Sequence, residues 1–165
     1  MSDPSELWNS PAIESFLVWS FVRGYENAAG EGVPLILVFL AMALMTEPCF
    51  RRILGETILT DFERLAQTVR DSSGKDSVSF GGLTKCIAQD KERTRTAIEF
   101  ALAAKLVSLD VSTARISVLY RGDNKKAEIS SKRFRRVEGH LAECLGAAFA
   151  GAKPQSIAKL LEVNF

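Results

Sequence analysis

Hydrophobic positions in this chain recur mostly at helical spacing, and in two stretches they leave no polar face. Ser10-Pro11 opens the first stretch with a hydroxyl able to cap a helix and a proline suited to the first helical position. Ile13, Phe16, Leu17, Phe21 and Tyr25 follow along one side, while Val18, Trp19 and Val22 fall on others. Gly30-Glu31-Gly32 ends this segment, and a second apolar helix is predicted over about Pro34 to Met45. A helix that is apolar all round is buried on several sides or covered by a partner. Two of them in one small chain either form the centre of the core or turn a face to another protein.

The pattern then becomes amphipathic. A short helix is predicted over Pro48 to Leu54, ending at Gly55. Thr60-Asp61-Phe62-Glu63 is a capping box for a helix reaching Val69 or Arg70. Asp71-Ser72-Ser73-Gly74-Lys75-Asp76 reads as an exposed loop and a boundary. Beyond it, Ser79 caps a short helix holding Leu83, Cys86 and Ile87. Asp90 caps a longer one, about Lys91 to Lys105, with the apolar stripe Ala97, Ile98, Ala101 and Leu102. Leu106 to Leu109 and Arg115 to Tyr120 alternate in period two about a turn at Asp110 to Ala114. Arg121 to Lys126 is a polar tip. A long helix spans about Ser131 to Ala150, with Phe134, Val137, Leu141, Leu145 and Phe149 on one side; Gly151 and Pro154 stop it, and a last turn or two runs from Ser156 to Val163. The predicted fold is mainly α: a winged helix-turn-helix core with a small β-hairpin, flanked by amino-terminal apolar helices and a long carboxy-terminal helix. Residues 1–76 form the amino-terminal helical part and 77–165 the winged-helix part, in one compact unit.

An apolar share of 47% suffices for a core at 165 residues. Net charge is +1, but eleven acids against six bases in residues 1–76 give −5, and fifteen bases against nine acids in 77–165 give +6. The amino terminus lacks a signal-peptide pattern. The apolar run Val33 to Met45 falls short of the roughly 20 residues that span a bilayer. Cys49, Cys86 and Cys144 are odd in number and scattered, which fits reduced, buried thiols and a cytoplasmic location.

The winged pattern raises a DNA-binding reading, in which the outward residues of the second helix meet base edges. At 100° per residue those are Glu92, Thr96, Glu99 and Ala103, two of them with the wrong sign. A run of seven bases lies in 121–136 (Arg121, Lys125, Lys126, Lys132, Arg133, Arg135 and Arg136) with Asp123 and Glu128 among them. It can follow a nucleic-acid backbone or an acidic partner, or simply be a solvated loop and helix start. His140, the only histidine, shares a helical face with Cys144, but an i, i+4 pair on one helix rarely opens into a cleft. No CxxC or CxxH spacing suggests zinc, and Ser73-Gly74-Lys75 lacks the earlier glycine and following hydroxyl of a phosphate loop. No metal, cofactor or catalytic set is expected. A small winged-helix transcriptional regulator is the alternative to a non-enzymatic module, and a hydrolase built on Cys144 and His140 a more distant one.

Trp8-Asn9-Ser10-Pro11 feeding an apolar helix, and Gly32-Val33-Pro34-Leu35 opening a second one with Leu37, Phe39 and Leu40, form a set with three further segments. These are Arg51 to Leu65, Leu83 with the helix to Leu106, and the closing Ile157 to Phe165. Together they resemble the middle component of bacterial three-component ABC systems, the group that includes Lamassu-type anti-phage defence. The resemblance covers nearly the whole chain. It implies a non-enzymatic adaptor joining an SMC-like ABC ATPase to an effector such as a nuclease, with ATP, magnesium and cleavage left to those partners. On that reading Trp8, Phe16, Trp19 and Phe165 are the expected contact anchors, because interface energy concentrates in a few large side chains. Lys125, Lys126, Lys132, Arg133, Arg135 and Arg136 are the expected contacts to nucleic acid or an acidic partner.

Overall fold

The computed structural model describes residues 10–47, 63–64, 66–67, 80–120 and 138–161. In chain order the elements are α1 (Pro11–Ala29), β1 (Val33–Pro34), α2 (Leu35–Thr46), α3 (Phe80–Ala103), β2 (Val107–Asp110), β3 (Arg115–Val118), α4 (His140–Ala150) and α5 (Pro154–Leu160). The protein is mainly helical, with a small antiparallel sheet in the order β1-β3-β2.

Proline starts α1 as the sequence predicts, although Ser10 contributes its carbonyl, 3.0 Å from the Glu14 N–H, and no side-chain cap. Gly30, at φ 74°, closes the helix in the left-handed conformation glycine adopts freely. Most of both apolar helices is covered within the subunit. Residues 13–22 of α1 are all buried, and Leu37, Val38 and Leu40 to Met45 of α2 are 2% exposed or less. Val33 to Met45, the one stretch with the look of a membrane span, is thus a strand of two residues and a core helix.

The close packing of α1 on α4 has a steric cause. A Cβ added at Gly24 would land on the Glu143 carbonyl, and one at Gly146 on the Phe21 carbonyl. Two glycines, one per helix, therefore let the backbones touch. Phe21 and Phe149 seal the crossing edge to face, with centroids 5.5 Å apart. Leu83, Ala97, Ile98 and Ala101 of α3 and Val107 and Ile116 of the sheet complete the same core.

Two predicted details change. The predicted break at Asp90 is absent: α3 is continuous for 24 residues from Phe80 to Ala103, so the two helices of the helix-turn-helix are one. Asp90 Oδ2 instead lies 3.2 Å from the Thr46 hydroxyl, a tertiary bond in place of a local cap. The hairpin forms where predicted, pairing Val107 with Val118 and Asp110 with Arg115, but it gains β1 as a third strand through Val33 with Ile116 and Pro34 with Arg115. Thr60 of the capping box, the helix over Pro48 to Leu54, the boundary loop Asp71 to Asp76 and residues 131–137 of the long helix lie outside the described residues.

Candidate partner-binding surface

Along one side of α1, Trp19, Arg23, Glu26 and Asn27 face the end of β3, and with Val118 and Tyr120 they line a cleft of about 190 Å³. The cleft exists because β1 pairs only two residues of β3. Past that point α1 satisfies the strand with side chains: the Val118 N–H donates to Glu26 Oε2 at 2.7 Å, and Trp19 Nε1–H donates to the Tyr120 carbonyl at 3.2 Å. A helix thus covers an edge that would otherwise invite another strand. The Arg23 guanidinium lies 5.3 Å from the Trp19 ring centroid, and its Nε is 3.5 Å from Glu143 of α4.

The outer face of α3 has a different character. Arg95 is held between Glu92 at 2.9 Å and Glu99 at 3.4 Å, all three well exposed. This face offers more carboxylate than cation where a DNA reader needs donors, as the helical spacing predicts. Next to it Phe100 is 48% exposed. Val111 is 83% exposed at the hairpin tip, on a turn fixed by Asp110. The Asp110 carboxylate accepts from Ser112 N–H at 2.9 Å, Ser112 Oγ at 2.6 Å and Thr113 Oγ1 at 2.8 Å, bonds that hold its pKa below the usual carboxylate range. Leu119 and Ile36 are the remaining exposed large apolar side chains among the described residues.

Of the expected anchors, Phe16 and Trp19 are each 3% exposed and pack against each other at 5.5 Å between centroids. In this subunit both are core residues, with α1 covered by α3, α4 and β3. Trp8, Phe165, Lys125, Lys126, Lys132, Arg133, Arg135 and Arg136 lie outside the described residues. Sequence reasoning missed Phe100, although its place beside the stripe Ala97, Ile98, Ala101 and Leu102 was a legible signal. Val111 carried none beyond lying in the turn.

His140 and Cys144 do approach, with Sγ 3.5 Å from Nε2. Burial, and then the charge of Glu143, push the Cys144 thiol above its ordinary pKa, the reverse of what a nucleophile needs. Among the described residues no group of three or more His, Cys, Asp or Glu is placed to hold a metal, and no helix is long and apolar enough to cross a membrane.

These features define a mainly helical protein with a small antiparallel sheet, whose exposed large apolar side chains, among the described residues, sit on α3, at the tip of the hairpin, just after β3 and at the start of α2. The family model for the ABC-three component (ABC-3C) system Middle Component 3 matches residues 2–165, and the chain belongs to that family. No curated protein and no solved structure matches it. The resemblance carried by the amino-terminal and closing segments thus holds at the level of the middle component of a multi-component ABC system.

Proposed function

We propose that this chain is a non-enzymatic adaptor subunit that bridges an SMC-like ABC ATPase and an effector, for example a nuclease, in an anti-phage or anti-plasmid defence complex of the Lamassu type working in the cytoplasm. The observation that carries the reading is the family match over 2–165, which makes the chain the middle component of a system with other parts. The pairing of Glu92, Arg95 and Glu99 on the outer face of α3 supports protein contact over base readout there, and so speaks against a winged-helix transcriptional regulator. In this reading the long helix and hairpin act as a wing for pairing with protein. The bases of 121–136 supply any contact to DNA, through phosphates and without sequence preference.

Co-expression tests the proposal. A tagged chain produced with the ATPase and effector encoded beside it should recover both in one complex and protect cells against phage only when all three are present. Recovery of neither protein, or full protection without this chain, would refute it.

A further inference from the structure

Glu14 is the only charged residue that is buried among the described residues, at 2% exposure. It sits in the first turn of α1 and pairs with the Arg93 guanidinium of α3. Two further polar contacts continue the line along α3: Asp90 to the Thr46 hydroxyl at 3.2 Å, and the Cys86 thiol to Glu47 Oε2 at 3.6 Å. Residues 86, 90 and 93 are four and three apart, so they share one face of the helix. On the same side Leu83 is buried before them, Ile87 packs on the core between them, and Ala97, Ile98 and Ala101 follow. Among the described residues α3 thus meets α2 through Cys86 and Asp90 and α1 through Arg93 by polar contacts set among apolar ones, whereas Ala97, Ile98 and Ala101 beyond them are apolar contacts.

A buried ion pair adds little net stability over an apolar contact, yet removing one partner is costly because the other charge stays inside uncompensated. The pair is also asymmetric. The Arg93 side chain is 32% exposed and that of Glu14 only 2%, so solvent and solutes reach one member alone.

We propose that the Glu14–Arg93 pair is a latch that holds the middle of α3 against α1 and opens from its Arg93 side. Drawing the guanidinium outward strands a carboxylate in the core, and the joint loosens to let that carboxylate reach water. Among the described residues the charged groups facing Glu14 are Arg93 and Asp90, both from α3; on the α2 side the seam presents Thr46 and Glu47. Burial raises the Glu14 pKa first of all, Arg93 opposes this, and Asp90 adds to it. Without Arg93, the carboxyl can stay inside only by taking up a proton.

Amide hydrogen exchange of the full chain tests the latch, using Arg93→Gln, Glu14→Gln and the double variant at about pH 7.5 and about pH 5. Arg93→Gln should lower the protection factors of residues 86–94 about tenfold at the higher pH and regain most of that at the lower. The double variant, with no carboxylate to strand, should keep wild-type protection at both. A loss of equal size at both pH values would mark Arg93 as a packing residue and overturn the latch, and so would no loss at the higher pH. Should Arg93→Gln be unfolded at the higher pH, recovery of the fold at the lower pH or in the double variant supports the latch; failure of both overturns it.

Discussion

Two carboxylates on α1 show how environment decides what a side chain does. Glu26, half-buried near the end of the helix, accepts a sheet N–H and completes β3. Glu14, three turns earlier, is enclosed and raised in pKa by burial. The sign of its effect on stability follows. An acid whose native pKa lies above its unfolded value binds its proton more tightly when folded. Its contribution to stability is complete below the unfolded value and is lost as pH rises through the native one. Glu14→Gln, which does not titrate, should match the wild type at about pH 4 and gain on it steadily toward neutrality. Chemical denaturation across that range measures the difference, and a variant that instead falls behind the wild type with rising pH contradicts the assignment. None of this was legible in the sequence, where Glu14 is one acid in a helix's first turn and Arg93 lies 79 residues away.

At the scale of elements, α1 and α2 were legible because an unbroken apolar surface between a proline and glycines leaves a helix little alternative. The hairpin was legible because alternation in Arg115 to Val118 follows a turn held by its own Asp110. The continuity of α3 was not: an aspartate before a basic stretch looks like a cap, but the Asp90 carboxylate lies against Thr46 of another helix instead. Nor was β1, since two residues carry no periodicity and pair only because β3 is beside them. The glycines of the α1–α4 crossing were equally silent. In a helix interior, replacing glycine by alanine ordinarily gains about 0.5–1 kcal/mol. Here the sign reverses, because the new methyl meets backbone that has nowhere to go. Gly24→Ala and Gly146→Ala should each cost about 1–3 kcal/mol or more. Gly151→Ala, where the nearest atom is the Ala148 carbonyl at 3.6 Å, should stay within about 0.5 kcal/mol. Thermal denaturation of the three variants gives the order, and stable variants at Gly24 and Gly146 would mean that the helices do not touch.

For the whole molecule, the question is where a middle component meets its neighbours. Composition suggested that apolar helix was in surplus, with Phe16 and Trp19 as its outlying contacts. The fold takes up most of that surface by burying α2 from Leu40 to Met45 and lining the α1–β3 junction with Trp19. A helical period shows which residues share a face but not how many faces a neighbouring element will cover, so the burial of Trp19, off the stripe, was not legible. The adaptor reading then separates stability from assembly. Trp19→Ala empties a site closed by Phe16, Tyr120 and Arg23 and should cost about 3–5 kcal/mol of stability. Phe100→Ser removes a half-exposed ring from the outside of α3 and should change stability by no more than about 0.5 kcal/mol. In the co-expressed complex the order reverses: with the tag on this chain, Phe100→Ser reduces recovery of a partner at unchanged melting temperature, whereas Trp19→Ala lowers both only as far as it unfolds the subunit. Full recovery with Phe100→Ser would move the contact off the long helix. Partner loss with Trp19→Ala at an unchanged melting temperature would return that ring to the interface and show that the α1–β3 junction opens on assembly.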